Sequence, residues 1–350
     1  MTRTLLQARV AAYTSTPAGV RGRLRVVTDG SGASLSSSRR ARLAARAELM
    51  ARCRAFFTGR DYLEVETPIV VPSPGLDLHL DAFAIEGAVF ADGALGYLAT
   101  SPEYQMKRLM AEGFDRIFQL SRCFRRGERG RRHQPEFTML EWYTRGADAD
   151  AMMDETEALV RALVPAREGV HGFTGPTACD LTSSFARISV AEAFARFADT
   201  GADEMLRLAA EDEDRFFFVW VDRVEPALAR LGRPVWVYDY PAAHASLARR
   251  RPSDPRFAER FELYIGEVEL CNGFVELTDP VEQRERLHAD QRARRAQGRP
   301  VYPIDERFIA SLESGLPACT GNALGFDRLV ALALGATDLD EVVAFSHRRL

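Results

Sequence analysis

Lysine is nearly missing from this chain: of its 46 basic residues, Lys107 is the only lysine. With the abundance of alanine, this bias points to nucleotide composition of the coding sequence as much as to function. Cysteine is scarce too. Cys53, Cys123, Cys179, Cys271 and Cys319 are odd in number, widely spaced and without a CxxC pair, which argues against a disulfide framework or a cysteine zinc site and fits a reducing cytoplasm. An excess of positive charge is absent, since 46 basic residues face 50 acidic ones for a net charge of -4. The molecule as a whole therefore has no cationic field for non-specific nucleic-acid binding, and any anion site must be local. No run reaches about 18 apolar residues, and the N-terminus has no long apolar core, so neither a membrane span nor an export signal is expected. A GxxxxGK[ST] loop is missing as well, which excludes a P-loop enzyme. The histidines at 79, 171, 244, 288 and 347 show no metal-ligand spacing.

What is present is a chain of 350 residues, 46% hydrophobic, long enough for one large domain or two ordinary ones. Residues 1–33 mix basic, small and polar types and read as a flexible or accessory extension; residues 34–350 read as one catalytic domain. The run SSSRRARLAARAELMARCRAFFTG opens with serine caps. It places Leu43, Ala47, Met50, Arg54 and Phe57 near helical spacing before Gly59. A strand follows through LEVETP. SPEYQMKRLMAEG predicts a helix with Ser101 as cap, Pro102 at its first position and Gly113 at its end. FDRIFQL and EFTMLEWY predict a hairpin with a long tip. Residues 146–230 read as helices with a polar insertion. Strands resume at PVWVYDYP, FELYIGEVEL and GFVELTD around a charged helix at VEQRERLHADQRARRAQG, and GNALGFDRLVALALG reads as a glycine-bounded entry into an apolar helix. This pattern predicts an α+β fold, a mainly antiparallel sheet flanked by helices.

Chemistry concentrates in two places. Between Arg122 and Arg132 stand six arginines in eleven residues, with Gly127 and Gly130 among them. Such a loop offers forked donors suited to phosphate oxygens. In the strand after it, a two-residue period puts Phe137, Met139, Glu141 and Tyr143 on one face. That face carries a ring able to stack on a planar base and a carboxylate able to neutralise an ammonium. The second place is FELYIGEVELCNGFVEL, where Glu262, Glu267, Glu269 and Glu276 stand among apolar neighbours, with Gly266 and Gly273 read as bends or bulges. Carboxylates on core strands are costly unless paired or bound to metal, and two converging ones suit Mg2+ shared with substrate phosphates. Together these features point to a nucleoside triphosphate site.

Three segments in order resemble the motifs of class II aminoacyl-tRNA synthetases: LEVETP at 63–68, FRRGE with RHQPEFTMLEWY at 124–143, and GNALGFDRLV at 321–330. TSPEYQMKRL and ELCNGFVEL are similar to the lysine branch, and to its truncated paralogues, the elongation factor P lysyltransferase family. The first motif begins near residue 60, which leaves no room before it for an anticodon-binding domain, so none is expected. Ala323 stands where lysyl-tRNA synthetases carry glycine in a GLGIGIDR-like string, which implies an altered amino-acid pocket wall, as in enzymes preferring (R)-β-lysine. One methyl group by itself discriminates only modestly.

The resemblance implies roles by position. Arg125 and Arg328 are the implied catalytic residues, Arg125 on the α-phosphate and Arg328 on the γ-phosphate of ATP, with Phe137 stacked on adenine. Arg126, Gly127, Glu128, His133, Gln134, Glu269, Leu270 and Gly325 complete the implied ATP site. Glu262 and Glu269 match the Mg2+ ligands. Ser101, Pro102, Glu103, Asn272 and Ala323 match the amino-acid site, with Glu103 near the α-amino or equivalent group and Asn272 near the carboxylate. Glu141, Tyr143 and Glu276 match the residues around the distal ammonium. Two departures stand out: FRRGE replaces FRNE, so the acid arrives one residue late at Glu128, and Gln134 replaces asparagine. Both fall at the adenine or ribose edge, and Glu128 is expected to swing in through Gly127.

The implied activity is an ATP-dependent ligase that forms an aminoacyl-adenylate of a lysine-type amino acid and passes the acyl group to a lysine on elongation factor P. A homodimer, a cytoplasmic location and no stable tRNA binding are expected with it. Two alternatives stay open: the same chemistry with a tRNA, a carrier protein or a small amine as acceptor, and a non-catalytic regulatory paralogue.

Overall fold

The computed structural model describes residues 35–350 other than 88, 91–92, 165–171 and 174–178. The predicted extension over 1–33 lies outside the described residues. The chain divides into two compact units, Met1–Ala41 and Arg42–Leu350. Described residues 35–41 of the first are helical.

Helix α1 (Leu35–Thr58) leads into the short strands β1 (Leu63–Glu64), β2 (Val70–Val71), β3 (Ala84–Ile85) and β4 (Gly96–Leu98). Then come α2 (Glu103–Ala111) and the long hairpin β5 (Arg116–Phe124) and β6 (Glu136–Arg145). Next are α3 (Ala149–Leu163), β7 (Gly172–Phe173), β8 (Cys179–Asp180) and β9 (Ala186–Ser189). Helices α4 (Val190–Ala198), α5 (Ala202–Glu211) and α6 (Glu213–Val219) follow, then a π turn (Trp220–Val224) and α7 (Glu225–Ala229). The chain continues through β10 (Val235–Pro241), β11 (Phe257–Ile265), β12 (Val268–Val275), α8 (Pro280–Ala296), α9 (Glu306–Glu313), β13 (Cys319–Gly325) and α10 (Phe326–Leu334).

Eight strands form one sheet in the order β1-β5-β6-β13-β12-β11-β10-β9. Only the two edge pairs, β1 with β5 and β10 with β9, are parallel. The α+β fold with a mainly antiparallel sheet is therefore as the pattern predicted. Alternation along β6 sorts its side chains between two cores. Leu140 and Trp142 pack with Phe57, Phe118 and Phe261 beneath α1 and α10. Tyr143 packs on the other face with Ile117, Tyr104, Phe308 and Cys319. A third core, with Phe194, Phe216 and Trp220 from the helices after β9, covers Val235, Val237 and Tyr264.

Several local expectations differ from the structure. The buried stripe of α1 is Ala45, Leu49, Cys53 and Phe56 with Phe57, whereas Ala47 and Arg54 are exposed, because the Phe118 and Trp142 rings receive this face. Only Leu63–Glu64 of LEVETP is strand. Pro102 stands just before α2 rather than in it, and the Ser101 hydroxyl accepts the Glu103 N–H at 3.1 Å. GNALG is strand β13 rather than a helix entry, and α10 begins at Phe326. Gly266 does make a turn, with φ +59°. Gly273 is neither bend nor bulge but a close-packing position, since a Cβ there would lie 2.2 Å from the Phe261 ring. Among the described residues no helix is long and apolar enough to cross a membrane.

Candidate active site

A cleft of about 550 Å3 opens on the Tyr143 face of the sheet. Its floor includes Phe137 and Met139 of β6, Ala323 and Gly325 of β13, Glu269 and Asn272 of β12, and Glu262 of β11. Segments far apart in the chain wall it, among them loop 73–80, the start of α2, the arginine loop, residues 243–247 and the start of α10.

A buried ion pair fixes the arginine end. Arg46 of α1 reaches Asp327 at 2.6 Å and Thr138 at 2.9 Å, and Asp327 also accepts the Thr138 N–H at 3.0 Å. Arg46 and Asp327 are each nine-tenths or more buried, so neither can be removed without stranding the other's charge. This link ties α1, β6 and α10 together, and it sets Arg328, next to Asp327, across from Phe137, next to Thr138. The Arg328 guanidinium donates to the Glu269 carbonyl at 2.8 Å and to His133 Nε2 at 2.9 Å. Burial and the Arg328 charge hold the His133 imidazole below its usual range, so it meets Arg328 as a neutral acceptor. Arg125 lies with its guanidinium carbon 5.0 Å from the Phe137 ring centroid. A planar cation already covers the face proposed for a planar base.

Of the six loop arginines, only Arg125 and Arg132 line the cleft. Arg126 turns away to Asp81, its N–H donating to the Asp81 carbonyl at 2.6 Å, and neither it nor Gly127 is part of the lining. Gly127 has φ +89°, a conformation that favours glycine. Glu128 lies in the cleft with a carboxylate oxygen 3.6 Å from Arg125. Gln134 is buried and already committed: it donates to Asp340 at 3.0 Å and accepts from His347 Nδ1 at 2.7 Å.

Glu262 is held more tightly than its sequence neighbours suggested. Arg260 donates to one oxygen at 2.5 Å, and Tyr240 and Tyr264 donate to the other at 2.6 and 2.8 Å. These bonds fix the direction of the buried carboxylate, while leaving lone-pair capacity. The partly exposed Glu269 lies 3.8 Å from Arg328. Partial enclosure and the Glu262 charge raise its pKa, which marks the two carboxylates as near neighbours. Among the described residues no group of three or more His, Cys, Asp and Glu side chains forms a metal cage. Mg2+ takes one or two carboxylates with substrate phosphates, so this pair fits it.

Under the other end of the floor lie Glu141, Tyr143 and Glu276, all at most 2% exposed. Tyr143 donates to Glu141 at 2.7 Å, and Ser101 donates to the other Glu141 oxygen at 2.8 Å. Burial and the Glu103 charge push the Glu141 carboxyl up to about 7. Burial pushes Glu276 up to about 8, against the pull of Lys107. Gly321 is what lets these groups meet. A Cβ there would sit 2.3 Å from the Tyr143 ring and 2.6 Å from a Glu276 oxygen.

Register explains how β12 serves both ends. The pairing slips between Leu263 opposite Cys271 and Tyr264 opposite Glu269, so Leu270 is an extra residue. Without this bulge Glu269 would share a face with Cys271, which is in the core on the far side. With it, Glu269 joins Asn272 in the cleft.

The cleft thus gathers Arg125, Arg328, Phe137, Glu128, His133, Gln134, Glu262, Glu269, Leu270, Gly325, Ser101, Glu103, Asn272 and Ala323 from the expected set. Sequence reading gave no role to Arg46, Tyr240, Arg260, Tyr264, Gly321 or Lys107. The last carried a signal as the only lysine; the others are ordinary until their partners are seen.

A family model described as tRNA synthetases class II (D, K and N) matches residues 33–349. Among curated proteins, the chain is 41% identical over 315 residues to the elongation factor P--(R)-beta-lysine ligase of Vibrio cholerae, covering 87% of this chain and 94% of that protein. It is 44% identical over 324 residues to the protein of the same name from Yersinia enterocolitica, with the same two coverages. The Proteus mirabilis protein of that name is 42% identical over 324 residues, again covering 87% of this chain and 94% of the relative.

Proposed function

The chain belongs to the class II tRNA synthetases of the D, K and N type, and from that membership we propose that it is an ATP-dependent ligase modifying elongation factor P. In its first step a lysine-type amino acid, with (R)-β-lysine as the preferred form, attacks the α-phosphorus of ATP through its carboxylate. Pyrophosphate leaves and an aminoacyl-adenylate forms. In the second, the ε-amine of a lysine on the factor attacks the acyl carbon, AMP leaves and an amide is made.

The observation that carries this reading is the pair of buried carboxylates, Glu141 and Glu276, beside Tyr143 beneath an arginine-lined cleft. Anions so deep need a cation, and the distal ammonium of a lysine-type substrate supplies one. Glu103 takes the second ammonium and Asn272 faces the carboxylate. Because Glu141 and Glu276 titrate near 7 and 8, amino-acid affinity is expected to rise with pH as they ionise.

Arg125 and Arg328 stabilise charge on the phosphates, and Phe137 holds the base. Mg2+, held by Glu262 and Glu269 when bound, would neutralise phosphate charge. No side chain is needed as a covalent nucleophile. Burial pushes the Cys53 and Cys123 thiols up to about 12, so neither is a ready thiolate. That the phosphate arginines and both carboxylates line one cleft speaks against the non-catalytic alternative.

The test is ATP–pyrophosphate exchange with α-lysine, (R)-β-lysine and (S)-β-lysine, followed by mass measurement of elongation factor P. Exchange led by (R)-β-lysine and a factor heavier by one acyl group are expected. A charged tRNA with an unmodified factor would overturn the acceptor, and no exchange with any lysine isomer would overturn the activity.

The homodimer belongs to the same proposal, as does a single catalytic domain over 34–350 after an accessory 1–33. Around the first motif Leu63, Ile69 and Val70 are exposed at 51%, 43% and 37%, apolar side chains suited to meeting a partner copy. Sedimentation is expected to report twice the 39.0 kDa chain mass; a monomer at micromolar concentration would remove the dimer from the reading.

A further inference from the structure

The only lysine of the chain stands beside the carboxylates of the amino-acid pocket, and the reading above leaves it without a task. Lys107 is fully buried on α2, one turn after Glu103. Its Nζ lies 2.6 Å from Glu103 and 2.5 Å from Glu276. A resident ammonium therefore bridges the two carboxylates assigned to the two ammonium groups of the substrate. Its own burial works against its charge, but Glu103 and Glu276 offset that and hold its pKa above the ordinary lysine value.

The titratable groups facing Glu276 come from three elements. Lys107 and Glu103 stand on α2, Glu141 and Tyr143 on β6, and Cys319 at the start of β13. Burial raises both Tyr143 and Cys319, so at neutral pH they are uncharged. When all three carboxylates are ionised, they stand against one ammonium. Two negative charges remain, which matches the two ammonium groups of a diamino acid.

We propose that Lys107 is a positioning residue that acts through Glu276: its ammonium favours the ionised form of that carboxylate and sets the pocket to receive a substrate carrying two ammonium groups. This rests on the assignment of Glu103, Glu141 and Glu276 to the substrate. The physical reason is that a carboxylate buried beside two others takes up a proton once its counter-ion is gone. Each unit of pKa is then a tenfold loss of the ionised form. A lysine serving only to hold the fold would affect stability without changing how substrate affinity depends on pH.

The test uses pyrophosphate exchange from about pH 6 to about pH 9.5 on the full-length protein, its Lys107→Met and Lys107→Arg variants, and Glu276→Gln. Lys107→Met is expected to raise the KM of the amino acid roughly tenfold or more at pH 7, with a smaller change in kcat. The deficit should close as pH rises, and Lys107→Arg should recover most of it. A deficit equal at every pH, with Glu276→Gln clearly impaired, would sink the role of Lys107 alone. A Glu276→Gln protein with an unchanged KM would sink the substrate assignment and this inference with it.

Should Lys107→Met fail to fold, the lone lysine allows a second measurement. Protein labelled with 13C-lysine gives one Cε signal, expected to step as Glu276 titrates near 8 and to lose that step in Glu276→Gln. A signal without the step in the unaltered protein would overturn the proposal.

Discussion

Arg125→Ala is expected to lower the kcat of ATP–pyrophosphate exchange by roughly a hundredfold to a thousandfold, while leaving the protein folded. The large effect follows from what the guanidinium does. Transfer at the α-phosphorus concentrates negative charge there, and a fixed cation in an enclosed cleft stabilises that charge more than it stabilises bound ATP. The small effect on stability follows from its surroundings. The Arg125 guanidinium makes one long hydrogen bond, from Nε to the Thr100 carbonyl at 3.4 Å, and its side chain keeps 22% exposure. Arg125→Lys should recover little, because a point charge cannot reproduce two forked donors. Exchange within a few-fold of the unaltered protein would remove Arg125 from the reaction.

Arg294→Met is expected to cost about 3 kcal/mol or more of stability and to loosen one wall of the cleft. Arg294 is wholly buried. Its guanidinium donates to the carbonyls of Pro300, Asp77, Leu78 and Leu80 and to the Asp81 carboxylate, at 2.6 to 3.2 Å, and it lies 4.6 Å from the Tyr302 ring centroid. Methionine fills much of the space but strands several acceptors at once, and Asp81 keeps only Arg299 at 3.3 Å and Arg126 at 3.5 Å. Since Asp77 to Leu80 line the cleft, KM should rise along with the loss of stability. Urea denaturation reads the first effect and exchange kinetics the second. An unchanged denaturation midpoint would show that the loop is held by other means.

Part of this site was legible because its chemistry sits in short local patterns. The two-residue period of EFTMLEWY placed Phe137, Glu141 and Tyr143 on one face, and the hairpin β5–β6 keeps that face intact. Arg125 and Arg328 were legible by their position in motifs, which the charge of the loop alone did not show: six arginines look alike in sequence, and only two line the cleft. Gly321 was legible only as the first residue of a glycine-bounded entry into an apolar helix. Its reason for being glycine lies across the sheet, in the Tyr143 ring and the Glu276 carboxylate.

By itself, then, the sequence determined the α+β class, the order of the main strands and which residue types face the cleft along β6. Those follow from hydrophobic periodicity, which acts between neighbours a few residues apart. Only the tertiary structure decided how the charges are shared out. The bulge at Leu270 brings Glu269 to the side of Asn272, Arg260 with two tyrosines fixes Glu262, and Lys107 is set between Glu103 and Glu276. Each of these depends on strands or helices distant in the chain meeting in one register. The energy of a buried charge is set by the partners within a few ångströms, wherever in the sequence they lie.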